Sequence, residues 1–281
     1  MKKNLDEASA GLGLRRAFLE AAATDERTDI DFYEVAPENW IHVGGRLGKQ
    51  FRSMTERFPF VSHGLSLSLG GPAPLDEDFI LEIKGFLKHH GIIKYSEHLS
   101  YCGDDGHLYD LMPIPFTEEA VEYVSRRIRR VQELLEQRIA IENVSYYAAP
   151  GKEMDEIEFL NAVLDRSDCE LLLDINNVYV NSVNHGYDPH AFLAAVRTEK
   201  IAYGHIAGHY NEAEDLIVDT HGADVIDPVW GLLEEAYRIH GVFPTLLERD
   251  FNIPDLPKLV EEVRTIRSIQ IGASPENVRF A

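Results

Sequence analysis

Short apolar runs recur along the chain, and after each the pattern changes to one in which apolar residues return at helical spacing or a helix-start signal appears. In order the runs are GLGL (Gly11 to Leu14), IDFYEV (from Ile30), PFVSHGLSL (from Pro59), IIKYSEHLSY (from Ile92), RIAIENVSYY (from Arg138), CELLLDINNVYV (from Cys169), IAYGHIAGH (from Ile201) and FPTLLERD (from Phe243). The segments between them predict helices over 15–23, 76–90, 117–137, 155–166, 189–197, 228–240 and 257–269. Strands that alternate with helices pair in parallel, and eight such units in 281 residues fit a closed α/β barrel, the (β/α)8 or TIM barrel, better than an open sheet. No internal repeat and no Pro/Gly/Ser-rich linker divides the chain, so residues 1–281 are expected to form a single barrel domain. The two longest connections, 101–116 and 210–225, are expected on one rim, where loops carry function.

A barrel strand is covered on both faces and should read as apolar, because a buried charge is costly unless it is paired or bound to something. Here the polar exceptions are systematic. Glu34 and Glu38 follow the second strand, His63 the third, Glu97 and His98 the fourth, and Glu142 and Asn143 the fifth. Asp174, Asn176 and Asn177 follow the sixth, His205 and His209 the seventh, Asp219 and His221 the loop beyond it, and Glu248 and Arg249 the eighth. All fall late in their strands, the end at which barrel active sites form.

Imidazole and carboxylate together suit iron, manganese, cobalt or zinc. Glu142, Asp174, Asp219 and Glu248 carry four formal negative charges, enough to neutralise two divalent ions, while His63, His98, His205, His209 and His221 add neutral donors. Nine donors exceed what one ion can use, so a site of two or three metals with bridging carboxylates is expected. A single histidine near a strand end is more often a packing or hydrogen-bonding residue, and His42, His89, His90, His107, His185, His190 and His240 are read that way. The metal reading rests on the joint pattern.

Composition narrows the partners. The formal charge of −21, from 48 acidic and 27 basic residues, repels phosphate backbones, so nucleic acid is not an expected partner. The one dense basic run, RRIRR at 126–130, lies in a segment where Val121, Val124, Ile128, Val131 and Leu135 recur at helical spacing, and it is read as a solvated helix face. Two cysteines, Cys102 and Cys169, are too few for a disulfide framework or a thiolate zinc site. The chain has no apolar run of membrane-spanning length, and MKKNLDEASA lacks the apolar stretch of a signal peptide, so no membrane association and a cytoplasmic location are expected. Ser66, Ser68 and Ser100 lack a nucleophile elbow, and LGGP at 69–72 lacks phosphate-loop spacing. Trp40 and Tyr101 are candidates either for a substrate groove or for core packing.

The motifs SHGLSLSLG, SEHLSY, IENVS, LLLDINNVYVNS, HIAGH, DTHG and LLERD, in this order and spacing from about Gly11 to Thr265, resemble the multinuclear non-haem iron-dependent oxidases, the family of the methanobactin biosynthesis oxidase. The resemblance implies a TIM barrel holding two or three iron ions, as Fe2+ and Fe3+, at its mouth. Carried over position by position, it implies His63, His98, Glu142, Asp174, Asn177, His205, Asp219, His221 and Glu248 as ligands, with His209 as a neighbour or alternative. Relatives use O2 as co-substrate to modify cysteine in ribosomally synthesised peptides, which implies a cysteine-containing precursor peptide and a separate protein that binds its leader. Glu97, Asn143 and Arg249 are the residues expected to position ligands or move protons beside the metals.

Iron follows from kinship alone, since the same donors serve zinc and manganese. One rival is a hydrolase or isomerase of the xylose-isomerase-like barrel group, using divalent ions to activate water. Another is a non-catalytic metal-binding scaffold, which predicts a saturated site without a cleft.

Overall fold

The computed structural model describes residues 5–24, 29–104 and 106–273, without the side chains of His107 and Tyr109. Eight parallel strands close into a barrel: β1 (Ala10–Gly13), β2 (Phe32–Val35), β3 (Phe60–Gly64), β4 (Tyr95–His98), β7 (Ala140–Glu142), β8 (Glu170–Asp174), β9 (Ile201–Ile206) and β12 (Thr245–Leu247). Their order around the wall is the order of the chain, and β12 pairs with β1 to close it. The helices outside are α1 (Leu19–Thr24), α2 (Gly45–Arg57), α3 (Glu77–His90), α4 (Glu118–Leu135), α5 (Glu156–Ser167), α6 (Ile175–His185), α7 (Pro189–Ala195), α8 (Asp227–His240) and α9 (Leu256–Ala273). The TIM barrel expected from the alternation is the fold observed. No helix among the described residues is long and apolar enough to cross a membrane.

Local chemistry sets the helix boundaries. The Asp76 carboxylate accepts the Phe79 N–H at 2.9 Å and starts α3, the Thr117 hydroxyl accepts the Ala120 N–H and starts α4, and Asp155 with Glu158 forms a capping box on α5. Gly91 and Gly186 end α3 and α6 at φ of 64° and 68°, where a side chain would be strained. Val121, Val124, Ile128, Val131 and Leu135 are the buried face of α4, and Arg126 and Arg130 of the RRIRR run are exposed.

Two helices were not legible as such. The run read as one strand from Cys169 breaks at Asp174, and Ile175–His185 is helical because the Asp174 side chain caps it, accepting the Asn177 N–H at 2.6 Å. Gly45–Arg57 forms α2 between β2 and β3. Both long connections fold into antiparallel hairpins, β5 (Tyr101–Gly103) with β6 (His107–Met112), and β10 (Tyr210–Ala213) with β11 (Leu216–Val218).

The barrel interior is layered. Side chains alternate inward and outward with period two, so each strand sends every second residue to the axis. Phe32, Val61, Ala140, Leu172, Tyr203 and Leu246 form one closed apolar cluster on the axis, separate from the core between strands and helices. Two residues further along the same strands stand Glu34, His63, Glu142, Asp174, His205 and Glu248. The polar residues at the strand ends are therefore the next layer of the barrel's own alternation.

Candidate metal centre

The polar layer draws its side chains from six strands or strand ends, and its members are buried, none of Glu34, His63, Glu142, Asp174, His205 or Glu248 being more than 7% exposed. The donors gather in three groups that share members. His63 and His98 bring their Nε2 atoms within 3.1 Å of each other, and each lies 3.3 Å from Oε2 of Glu142. The other oxygen of Glu142 is 3.4 Å from Nδ1 of His205, which is also 3.0 Å from Oε2 of Glu248 and 3.9 Å from Oδ2 of Asp174. Nδ1 of His221 stands 3.3 Å from that same Glu248 oxygen and 3.3 Å from Oδ2 of Asp250. Glu142 thus joins the first group to the second, and Glu248 the second to the third.

The sequence-nominated donors are placed as follows. His63, His98, Glu142, Asp174, His205, His221 and Glu248 all belong to these groups. Asp219 lies on the far side of the His221 ring, with Oδ1 2.8 Å from Nε2, and it also accepts from Ser145 and Asn176. The Asn177 amide nitrogen donates to the Asn143 carbonyl, and the residue lines a cavity beside the donors. His209 is buried against Tyr179, and its Nδ1 lies 2.7 Å from the Asn176 side-chain oxygen. Asp250 and Arg15 were not nominated, although Asp250 stands within the LLERD motif and adds a carboxylate to the third group.

The three residues expected to assist have different settings. Glu97 accepts from the His98 backbone N–H at 3.0 Å and lies behind the ring, 3.5 Å from Nδ1, at ion-pair distance. Asn143 grips the backbone of Asp174 on both sides, donating to its carbonyl and accepting its N–H, each at 2.9 Å. Arg249 is 3% exposed and turns to Asp224 and Glu262, neither of them among the donors. Its contacts anchor the end of β12 against α9 and do not reach the cluster.

Glycine makes room at two places. A Cβ at Gly64 would sit 2.0 Å from the Tyr95 hydroxyl and 2.5 Å from the Glu97 carboxylate. At Gly13 it would meet the Arg15 guanidinium at 2.9 Å, so the bare strand end admits Arg15 to the site. His221 adopts φ of 47°, a left-handed conformation unusual for a side-chain-bearing residue and common where function holds the backbone.

Electrostatics favours positive charge among these side chains. Burial works against charge on every member, yet Glu97 and Glu142 carry the His98 imidazole up to about 9. Burial also opposes protonation of His205 and His221, but the carboxylates of Glu34 and Glu248 hold His205 well above its ordinary range, and those of Asp219 and Glu248 do the same for His221. Burial and the charge of Glu142 push the Asp174 carboxyl up to about 8. The close-packed carboxylates favour protonated imidazoles here, and the Arg15 guanidinium pairs with Glu248 and Asp250.

A cation bound among the donors would do the same work. Asp174 Oδ2, Asn177 Oδ1 and His209 Nε2 are buried without a hydrogen-bond partner, and His205 Nδ1 and His221 Nε2 face carboxylate oxygens at ion-pair distance without hydrogen-bond geometry. Buried polar atoms are nearly always paired, so orphans gathered around imidazoles and acids fit a metal centre. Beside the donors, a cavity of 590 Å³ is lined by Asp110–Pro113, Tyr147, Thr220 and Phe251, and it reaches His98, Glu142 and His221.

Residues 9–271 match the model of the family described as RiPP precursor modification enzyme MbnB/TglH/ChrH. The chain belongs to this family. It is similar to a UPF0276 protein of Shewanella sediminis, with 61% identity covering 94% of this chain and 95% of that one. Among solved structures it is similar in fold to a xylose isomerase-like TIM barrel protein from Mycobacterium smegmatis in complex with magnesium, with a TM-score of 0.60, 11% identity and coverage of 96% and 99%. Endonuclease IV from Thermus thermophilus is similar at a TM-score of 0.58, with 16% identity and coverage of 92% and 97%. The barrel is thus xylose-isomerase-like, as expected, and the family of the chain modifies peptide precursors.

Proposed function

We propose that this protein is a multinuclear non-haem iron-dependent oxidase that uses O2 to modify cysteine in a ribosomally synthesised precursor peptide. The observation that carries the reading is the bridging place of Glu142, one oxygen facing His63 and His98 and the other facing His205, which joins two donor groups into one centre. His63, His98, Glu142, Asp174, His205, Glu248 and His221 hold two or three iron ions. Asn177, Asp219 and Asp250 complete the group nearest His221, with His209 beside it. Bound iron supplies a Lewis acid for the substrate thiolate and the electrons that activate O2.

The chain's own residues prepare that chemistry. Glu97 lies behind the His98 ring, Asn143 fixes the backbone of Asp174, and the Asp174 Oδ1 cap on α6 leaves Oδ2 free to bind. Arg249 acts at one remove by anchoring the strand end that presents Glu248. The 590 Å³ cavity takes the peptide beside the donors, with Met112, Pro113, Tyr147 and Phe251 as its apolar lining and Asp110 and Asp250 as its negative edge. Such an edge favours peptides with basic residues near the cysteine. A separate leader-binding protein delivers the precursor, and the whole chain acts as one unit in the cytoplasm.

The test is anaerobic loading of the protein with Fe2+, followed by addition of O2 and a cysteine-containing peptide taken from a neighbouring reading frame. The reading expects O2 consumption together with a change in peptide mass. Stoichiometric zinc in the native protein, with no O2 uptake after iron loading, overturns it.

A further inference from the structure

Beneath the polar layer stand two hydroxyls, that of Tyr203 on β9, a member of the axial cluster, and that of Ser96 on β4, both residues 0% exposed. They lie in one unbroken line of contacts. His63 Nδ1 is 2.7 Å from Ser96 Oγ, Ser96 Oγ is 2.6 Å from Tyr203 Oη, and Tyr203 Oη donates to Glu34 Oε2 at 2.7 Å. The Glu34 carboxylate in turn lies 3.0 Å through Oε1 and 3.1 Å through Oε2 from His205 Nε2.

The direction of every hydrogen in this line follows from its end. A carboxylate only accepts, so Tyr203 spends its single hydrogen on Glu34, and His205 must donate from Nε2. With the Tyr203 hydrogen committed, the 2.6 Å contact to Ser96 needs the serine hydrogen between the two oxygens. Ser96 then has only a lone pair left for His63, which must donate from Nδ1. Among the described residues, the one competing acceptor for Ser96 is the Ser62 carbonyl at 3.4 Å, at the edge of hydrogen-bonding range. The nitrogens on the far side of the two rings, Nδ1 on His205 and Nε2 on His63, are then the ones at which a cation can take the place of a proton. Those are the atoms that face Glu142.

We infer that Glu34, Tyr203 and Ser96 form a one-way hydrogen-bond relay that sets the tautomers of His205 and His63 together, and so positions ligands of two metal subsites from a single carboxylate. The inference rests on the proposed metal centre and adds three positioning residues to it. A metal-binding imidazole is commonly held by a partner on its other nitrogen. Here one such partner serves two rings on opposite sides of the barrel, through hydroxyls that never touch the metal. Without Tyr203, the Ser96 hydrogen is free to turn to His63 Nδ1, which moves the ring proton to Nε2 and blocks ligation there.

The test is a Co2+ titration of the metal-free protein, with the visible absorption bands reporting coordination and dialysis equilibrium giving the ions bound per chain. Tyr203→Phe removes one oxygen and keeps the ring. The relay predicts about tenfold or greater weakening of at least one bound ion, the usual scale for losing such a partner, and altered absorption bands. Glu34→Gln keeps the volume but turns one acceptor into a donor, and it should weaken binding as well. Because Tyr203 reaches His63 only through Ser96, the double variant Tyr203→Phe/Ser96→Ala should weaken the ion bound by His63 no more than Ser96→Ala alone. Wild-type Co2+ binding in a folded Tyr203→Phe, or losses at the His63 ion that simply add in the double variant, overturns the relay. A wild-type protein that binds no Co2+ at all overturns the metal centre along with it.

Discussion

Arg15 donates from Nη2 to Oε1 of Glu248 at 3.1 Å, while the other oxygen of that carboxylate faces His205 and His221. The same nitrogen holds Asp250 at 2.5 Å. A fixed positive charge thus stands where the second and third donor groups meet, and it partly neutralises them before any metal arrives. Arg15→Gln keeps a donor and removes the charge. The metal-free variant should be less stable by about 1–3 kcal/mol, below the cost of breaking a fully buried pair because Arg15 is partly exposed. The metal-induced rise in melting temperature should be larger than in the wild type, since the ion then meets less competition. Scanning calorimetry with and without added Co2+ measures both, and an unchanged metal-induced rise would count against this account of Arg15.

The shared position of Glu142 makes a prediction about stoichiometry. His63 takes part in one donor group, whereas Glu142 takes part in two. His63→Ala should therefore reduce bound metal by about one ion per chain, and Glu142→Ala by more than one. Elemental analysis of protein purified anaerobically decides it. Equal losses in the two variants would mean that the Glu142 oxygens serve a single ion.

The sequence made the barrel's polar layer legible because period-two alternation must send alternate residues to the axis. A charged residue two places beyond a buried apolar one therefore declares itself. His63, Glu142, Asp174, His205 and Glu248 all carried that signal. Glu34 carried it too, but its role is to hold His205 from behind, and no pattern in the chain separates a ligand from a ligand's support. Tyr203 and Ser96 read as ordinary core positions, since a hydroxyl costs little in a sequence pattern. Arg15 enters only because Gly13 lacks a side chain, a steric fact visible in three dimensions. Helix α6 was hidden because Asp174 serves both as donor and as cap, so the strand and the helix share one polar residue.

Glu156 gives the fold a pH dependence that can be isolated. Burial at the start of α5 pushes its carboxyl up to about 7 from an ordinary 4.5, and hydrogen bonds from Asn181 and Tyr146 offset part of that rise. A carboxyl whose folded value is raised binds its proton more tightly in the folded state. Its stabilising contribution is complete below about 4.5 and is lost as pH rises through about 7. At about 1.4 kcal/mol per unit, the loss amounts to roughly 3 kcal/mol at pH 8. Glu156→Gln mimics the protonated form and keeps the acceptor for Asn181. The variant should be the more stable protein at pH 8 and match the wild type near pH 4.5. Urea unfolding at the two pH values tests this, and a stability difference that does not change with pH would rule out Glu156 as its source.

Phe251 and Tyr147 are 64% and 52% exposed at the cavity beside the donors, whereas most aromatic rings in this chain are buried. Phe251 lies just beyond β12, and Tyr147 accepts the Asp219 N–H at 2.9 Å, so both rings are tied to backbone that carries donor residues. Exposed aromatics at a cleft gain their area only when a partner covers them. Phe251→Ala should leave folding stability within about 0.5 kcal/mol, as expected of a surface side chain. The same change should raise KM for the peptide substrate by about fivefold or more, the scale of an interface residue worth over ~1 kcal/mol. Because Phe251 is absent from the donor groups, bound metal should be unchanged. Tyr147→Phe, which keeps the ring, should retain most of the affinity, while Tyr147→Ala should lose it. If KM stays constant across these variants and kcat alone falls, the cavity is not where the peptide rests, and substrate reaches the donors from the Arg15 and Trp40 side instead.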